Sequence, residues 1–238
     1  MKQIDVMAFG AHPDDIELFC GGTLIKMQQA GAALILVDLT QGELGSGGNA
    51  AIRCQEAEQA AVLMQVAARE NLALEDGHIR STPDAKLRVV RTIRAHRPDM
   101  VLLPYYVDRH PDHVQASTLV YEAAFMAGLA QYRTDQDHFR PRRLAYYMLW
   151  EPFEPSFIID VSAQFERKMQ AIEAYASQFD PSSQHAANTR LTSGGFKDLL
   201  TNRMAYHGSL IGKKYGEAFL IHGNLEVSDP RVLDFTSF

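Results

Sequence analysis

The stretch Gly10-Ala11-His12-Pro13-Asp14-Asp15 decides the fold prediction. It follows the apolar run Ile4 to Phe9, and an apolar run of this length that ends at a glycine indicates a buried strand. A related stretch, Arg109-His110-Pro111-Asp112-His113, follows a second apolar run, Met100 to Tyr106. In an open parallel sheet, ligands bind at the edge where the strands end. The sequence therefore predicts a site that joins these two stretches.

The order of the expected elements indicates an α/β fold. Strand and helix candidates alternate up to about residue 130, which predicts a Rossmann-like, mostly parallel sheet with helices on both faces. Beyond this point the alternation loosens, and we expect a C-terminal α/β elaboration. The simplest organisation is one domain over residues 1–238, with the Rossmann-like half at 1–130 and the elaboration at 131–238.

Two helices can be predicted in some detail. Gly21-Gly22 disfavours a single helix after the first motif, because each glycine costs up to ~1 kcal/mol relative to alanine. We therefore expect a helical turn over Asp14 to Cys20 and a separate helix over Thr23 to Ala30. Ser162 can cap a later helix that continues to about Ser177.

The glycine-rich segment Gly42 to Gly48 resembles a phosphate-binding loop only superficially. It lacks the Gly-Lys-Ser/Thr ending of such a loop. Its composition predicts a mobile wall or lid of the pocket.

The composition narrows the class of protein. The 238 residues include 46% hydrophobic residues, which is ordinary for a globular protein, and the net charge of −6 argues against a nucleic-acid partner. No uninterrupted apolar stretch reaches the roughly 20 residues of a membrane helix, and the first residues lack the apolar core of a signal peptide. Cys20 and Cys54 form no CxxC pair and are best interpreted as reduced thiols. We expect a cytoplasmic protein without membrane contact.

Three residues of the two motifs are candidate metal ligands. His12 and Asp15 are three residues apart on a turn that enters a helix, so both side chains can face one ion. His113 is brought close by the neighbouring strand. Two imidazoles and one carboxylate are typical of a catalytic zinc site with an open position. Alternatively, His12 merely ends a strand and Asp15 caps a helix.

The remaining polar residues of the motifs are candidate catalytic groups. Asp14 lies beside the expected ligands and can act as a general base; alternatively, it complements the dipole of the helix. His110, as an imidazolium, can stabilise an oxyanion or protonate a leaving amine, with Asp112 orienting it. Alternatively, Asp112 caps a helix that begins at His113.

The motifs together resemble the PIG-L / LmbE-like family of zinc-dependent N-deacetylases. The matching segments are His12-Pro13-Asp14-Asp15 with Glu17, Gly21-Gly22-Thr23, Thr40-Gln41-Gly42-Glu43, Arg53 and His110-Pro111-Asp112-His113. Within the family, Asp108 to His113, Tyr175 to Phe179 and Leu191-Thr192 look most like the deacetylases of bacillithiol biosynthesis. Those enzymes release acetate from N-acetylglucosaminyl malate, so the resemblance implies a small N-acetylglucosaminyl substrate; other aglycones are the alternative.

The resemblance also implies roles for individual residues. It implies zinc, or alternatively iron(II), on His12, Asp15 and His113. It further implies Asp14 as the base and His110 as the group that assists the tetrahedral intermediate. Family members are often oligomeric, so a homo-oligomer is a further expectation.

Two arginines are candidate substrate contacts. Arg53 matches a family position that contacts substrate, the alternative being a surface charge on a helix. Arg109 carries a planar fork that suits the carboxylate of malate, the alternative being an intramolecular salt bridge.

One position departs from the bacillithiol enzymes, and two other classes of protein fit the sequence less well. The bacillithiol enzymes carry a tyrosine in the late segment where this chain has Ser193-Gly194-Gly195-Phe196, and Phe196 cannot donate a hydroxyl hydrogen bond. A non-catalytic metabolite-binding protein would not need both Asp14 and His110. A nucleotide-dependent oxidoreductase is disfavoured because Gly10 to Asp15 lacks the GxGxxG spacing.

Overall fold

A single seven-stranded sheet forms the centre of the computed structural model, which describes residues 4–232. Its strands are β1 (Val6–Gly10), β2 (Leu34–Thr40), β3 (Ala68–Leu74), β4 (Met100–Pro104), β5 (Arg143–Tyr147), β6 (Phe157–Asp160) and β7 (Gly216–Leu220). They lie in the order β3-β2-β1-β4-β5-β7-β6. All neighbours from β3 to β5 are parallel, whereas β7 is antiparallel to both of its neighbours. The mostly parallel α/β fold is therefore confirmed, and strands from both predicted halves join one sheet.

Helices cover both faces of the sheet, as predicted. They are α1 (Asp15–Gln29), α2 (Ala50–Met64), α3 (Pro83–His96), α4 (Pro111–Ala127), α5 (Phe165–Glu173), α6 (Ala176–Phe179) and α7 (Gly195–Ser209). One core lies under α1, α2, α5 and α7, and the other lies under α3 and α4. Because β1 and β2 are buried on both faces, both are mostly apolar, with Asp38 and Thr40 as the polar residues of β2.

The predicted break of α1 at Gly21-Gly22 is wrong. The helix is continuous because a distant carboxylate supports it: Glu217 accepts hydrogen bonds from the backbone N–H groups of Gly22 (2.9 Å) and Thr23 (2.7 Å). A Cβ on Gly22 would lie only 2.9 Å from Val161 Cβ. Gly22 therefore allows close packing and does not end the helix.

The single helix predicted from Ser162 to Ser177 is also wrong. Ser162–Gln164 is a 3₁₀ turn, and the chain leaves the helix between α5 and α6, at Tyr175 (φ −84°, ψ 60°). Tyr175 is fully buried, and its hydroxyl donates to Glu17 (3.1 Å).

Other boundaries differ modestly from the sequence predictions. Strand β4 ends at Pro104, two residues before the end of the predicted run at Tyr106. Helix α4 begins at Pro111, before the predicted His113. No helix within residues 4–232 has the length and apolar character needed to cross a bilayer.

Candidate metal and catalytic site

The two sequence motifs meet at the carboxyl edge of the sheet. The first occupies the loop from β1 to α1 and the second the loop from β4 to α4, and β1 and β4 are adjacent parallel strands. The chain reverses its direction of winding between these strands, which is where open α/β sheets bind ligands. Asp14 has a φ of 118°, a strained conformation for a residue other than glycine, and such strain is concentrated at functional sites.

The predicted metal ligands lie close together. Potential ligand atoms of His12, Asp15 and His113 are all within 4.8 Å of one another. A second, overlapping group joins His12 with His110 and Asp112 at the same separation. Both groups contain the chemistry of a zinc site: imidazole nitrogen and carboxylate oxygen.

Each predicted histidine ligand is held by carboxylates on two sides. His113 Nδ1 lies 2.9 Å from Asp108, so its Nε2 faces Asp15 at 3.2 Å. His12 Nε2 lies 3.1 Å from Asp76, so its Nδ1 faces Asp15 at 3.5 Å. Metal-binding histidines commonly give their second ring nitrogen to a carboxylate in this way.

The electrostatics of this cluster favour an added positive charge. Burial opposes the charged form of His113, yet Asp15 and Asp108 outweigh it and raise the pKa of His113 to about 9. Burial likewise opposes protonation of His12, but hydrogen bonds to Asp112, Asp15 and Asp76 raise its pKa well above the ordinary value. Carboxylates that stabilise protons on both imidazoles would stabilise a divalent cation in their place. The donor set therefore fits the expected metal.

Asp14 is buried beside the ligands and paired with Arg53. Burial raises the pKa of Asp14 to about 7, against the opposing charge of Arg53. Arg53 Nη2 donates to Asp14 Oδ2 at 3.1 Å and also to the carbonyl oxygen of Pro13. Arg53 is only 3% exposed, so the alternative of a surface charge does not hold.

The contact between His110 and Asp112 differs from the predicted one. The backbone N–H of Asp112 donates to His110 Nδ1 (3.2 Å), so His110 rather than Asp112 caps α4. The Asp112 carboxylate accepts from the backbone of Gly77 (2.6 Å) and lies 3.5 Å from His12 Nε2. Burial, with the nearby His113 and His12, lowers the pKa of His110. A neutral His110 with its proton on Nε2 fits this geometry better than the predicted imidazolium.

Arg109 is exposed to solvent, whereas Phe196 lies in the hydrophobic core. The Arg109 guanidinium lies 4.4 Å above the ring of Trp150, and no carboxylate within residues 4–232 forms a salt bridge with it. Phe196 is buried and stacks on Phe179 with 5.3 Å between ring centroids, so it belongs to the core.

Two residues of the site were not identified from the sequence. Asp76 follows β3 and bridges His12 to the glycine-rich loop by accepting from Leu44 N–H (2.9 Å). The buried carboxylate of Asp108 accepts from His113, from the backbone of His110 (2.9 Å) and from that of Trp150 (2.8 Å). Both residues lie shortly after strands that end at the ligand-binding edge. This position is the feature of the sequence that could have indicated them.

Comparisons with known proteins agree with this geometry. The model of the PIG-L family, described as GlcNAc-PI de-N-acetylase, matches residues 7–124. Diacetylchitobiose deacetylase from Thermococcus kodakarensis is 27% identical over 89% of this chain and 80% of its own length. An uncharacterized deacetylase from Escherichia coli, YaiS, is 30% identical over 53% of this chain and 69% of its own length. The crystal structure of the conserved protein TT1542 from Thermus thermophilus is 33% identical, with a TM-score of 0.86 over 95% of this chain and 98% of that one.

The chain belongs to the PIG-L family of de-N-acetylases. The named relative with a stated substrate acts on diacetylchitobiose and is not a bacillithiol enzyme.

Proposed function

We propose that this protein is a metal-dependent hydrolase that removes the acetyl group from an N-acetylglucosaminyl conjugate. The observation that carries the proposal is the cluster of His12, Asp15 and His113, with buried Asp14 beside it. Zinc is the proposed ion, since its preferred ligands are those present. When bound, the ion supplies positive charge that polarises the acetyl carbonyl and acidifies the attacking water.

The chain's own residues divide the remaining chemistry. Asp14 accepts a proton from water as the oxygen attacks the carbonyl carbon, and its raised pKa makes it a competent base near neutral pH. His110 donates its Nε2–H to the oxygen that becomes negative. Asp14 then returns the proton to the amide nitrogen as the C–N bond breaks, leaving a free amine and acetic acid, which ionises to acetate in water at neutral pH.

Two different aglycones of the substrate are each supported by one observation. The exposed Arg109 fork, stacked on Trp150 and without a salt bridge among the described residues, suits the carboxylates of N-acetylglucosaminyl malate. The similarity to a diacetylchitobiose deacetylase supports a second sugar instead. An Arg109→Ala variant discriminates between them, because it should weaken only the binding of the anionic conjugate.

A substrate panel tests the proposal. Zinc-loaded protein is incubated with N-acetylglucosaminyl malate, N,N′-diacetylchitobiose and N-acetylglucosamine, and acetate release is measured. We expect acetate from at least one conjugate and its loss after chelation, with recovery on adding zinc. No acetate from any of them in zinc-loaded protein would contradict the proposal.

A further inference from the structure

The glycine-rich loop at residues 42–48 is closely packed against Arg53. A Cβ on Gly42 would lie 3.1 Å from Arg53 Cζ, and one on Gly45 would lie 3.0 Å from both Arg53 Nη1 and the carbonyl oxygen of Gly42. Such distances are shorter than most van der Waals contacts, so a side chain at either position would displace the guanidinium by a few tenths of an ångström. Gly42 additionally has a φ of 66°, which favours glycine.

The other two glycines in this loop fit against α6. A Cβ on Gly47 would lie 2.1 Å from the carbonyl oxygen of Ser177, and one on Gly48 would lie 2.9 Å from Ser177 Oγ. Each glycine at 42, 45, 47 and 48 therefore has a steric reason that does not require mobility.

Hydrogen bonds fasten the loop on both sides. Leu44 N–H donates to Asp76 (2.9 Å), whose own N–H donates to Glu43 (3.0 Å). On the other side, Gln178 Nε2 donates to the carbonyl oxygen of Gly47 (2.7 Å), and Gly48 N–H donates to the carbonyl oxygen of His185 (2.8 Å). The loop is thus attached to the segment after β3 and to the segment around α6.

The enclosed guanidinium is directed at the loop that carries Asp14. Arg53 bonds to the carbonyl oxygen of Pro13 and to Asp14, whereas its buried Nε has no hydrogen-bond partner within the described residues. An arginine placed in this way gives up solvation, and the residues covering it hold its long side chain in one conformation.

We infer that residues 42–48 form a fixed clamp that positions Arg53 on Pro13 and Asp14, rather than a lid that opens for substrate. Gly42 and Gly45 are positioning residues that act through Arg53. The clamp itself does not depend on the proposed reaction; only its effect on turnover rests on the proposed function.

Hydrogen–deuterium exchange tests the clamp without any substrate. In the wild-type protein, peptides covering residues 42–48 should be protected, to a similar degree with and without N-acetylglucosamine. Arg53→Ala should accelerate exchange in these peptides and leave α3 unchanged. Rapid exchange in the unliganded wild type that slows on ligand addition would identify a lid and overturn the inference, as would unchanged exchange in Arg53→Ala.

A double-mutant cycle in activity tests the coupling to Arg53. Gly45→Ala should lower kcat about tenfold or more with little change in KM, because small misplacements of catalytic groups are costly. In an Arg53→Ala background the same substitution should cost clearly less, since only the contact of the new Cβ with the carbonyl oxygen of Gly42 (3.0 Å) remains. Equal costs in both backgrounds, or a change confined to KM, would overturn the assignment.

A matched glycine provides the control. A Cβ on Gly195 meets no atom within 4 Å, so Gly195→Ala should leave exchange and kcat unchanged. If the wild type releases no acetate, the proposed function fails while the exchange experiment still decides the clamp.

Discussion

Among single residues, the proposed metal ligands could be recognised from the sequence, whereas the carboxylates that hold the histidine ligands in place could not. His12, Asp15 and His113 stand out because two short polar motifs follow two apolar runs, and parallel strands end at one edge. Asp76 reaches His12 only because β3 and its following loop lie in a particular register, which no local pattern encodes. Asp108 belongs to a segment that resembles the bacillithiol deacetylases, but its contacts with His113 and Trp150 exist only in the folded chain.

Asp108 should set the metal affinity through His113. In Asp108→Asn the side chain can still accept hydrogen bonds, but its negative charge beside His113 Nδ1 is lost. We expect zinc affinity, measured by competition with a chromophoric chelator, to fall by about 10–100-fold. Asp84→Asn, which alters an exposed carboxylate paired only with Arg88, should leave it unchanged. Equal affinities for the wild type and Asp108→Asn would show that Asp108 does not support the ligand.

At the scale of elements, the sequence failed where a partner lies far along the chain. The alternation of strand and helix candidates indicated the helices of the first half, and α2 has a capping residue of the usual kind, Asn49. The continuity of α1 instead depends on Glu217, which is 195 residues beyond Gly22. Buried Lys168 also bonds to Glu217 (2.7 Å), so this carboxylate joins α1, α5 and β7.

The two adjacent glycines of α1 should respond oppositely to alanine. Gly21→Ala meets only ordinary contacts, the nearest at 3.6 Å, and should be neutral or stabilise by up to about 1 kcal/mol through helix propensity. Gly22→Ala would force Val161 or Glu217 to move and should destabilise by about 1–3 kcal/mol. Urea unfolding measures both. Stabilisation by Gly22→Ala would mean that α1 does not need this close packing.

For the molecule as a whole, the fold could be predicted from the alternation of strands and helices along the sequence, but a fold alone does not define the chemistry. The α/β class and the ligand-binding edge could be predicted from the sequence, because the alternation of strands and helices and the rules for connecting parallel strands allow few arrangements. The substrate was harder to predict. In the proposed function an aglycone is selected by exposed side chains such as Arg109, which contact the substrate and not other residues of the chain. The motifs resemble malate-conjugate enzymes, whereas the named relative acts on a disaccharide.

In the proposed mechanism, one edge of the sheet holds a metal with three side chains and leaves Asp14 free to move the proton. The most direct measurement combines zinc content with acetate release for wild type and Asp14→Asn, using the conjugate that the wild type hydrolyses fastest. We predict equal zinc per chain and a loss of kcat of at least about 100-fold in the variant. Wild-type turnover by zinc-loaded Asp14→Asn would contradict it.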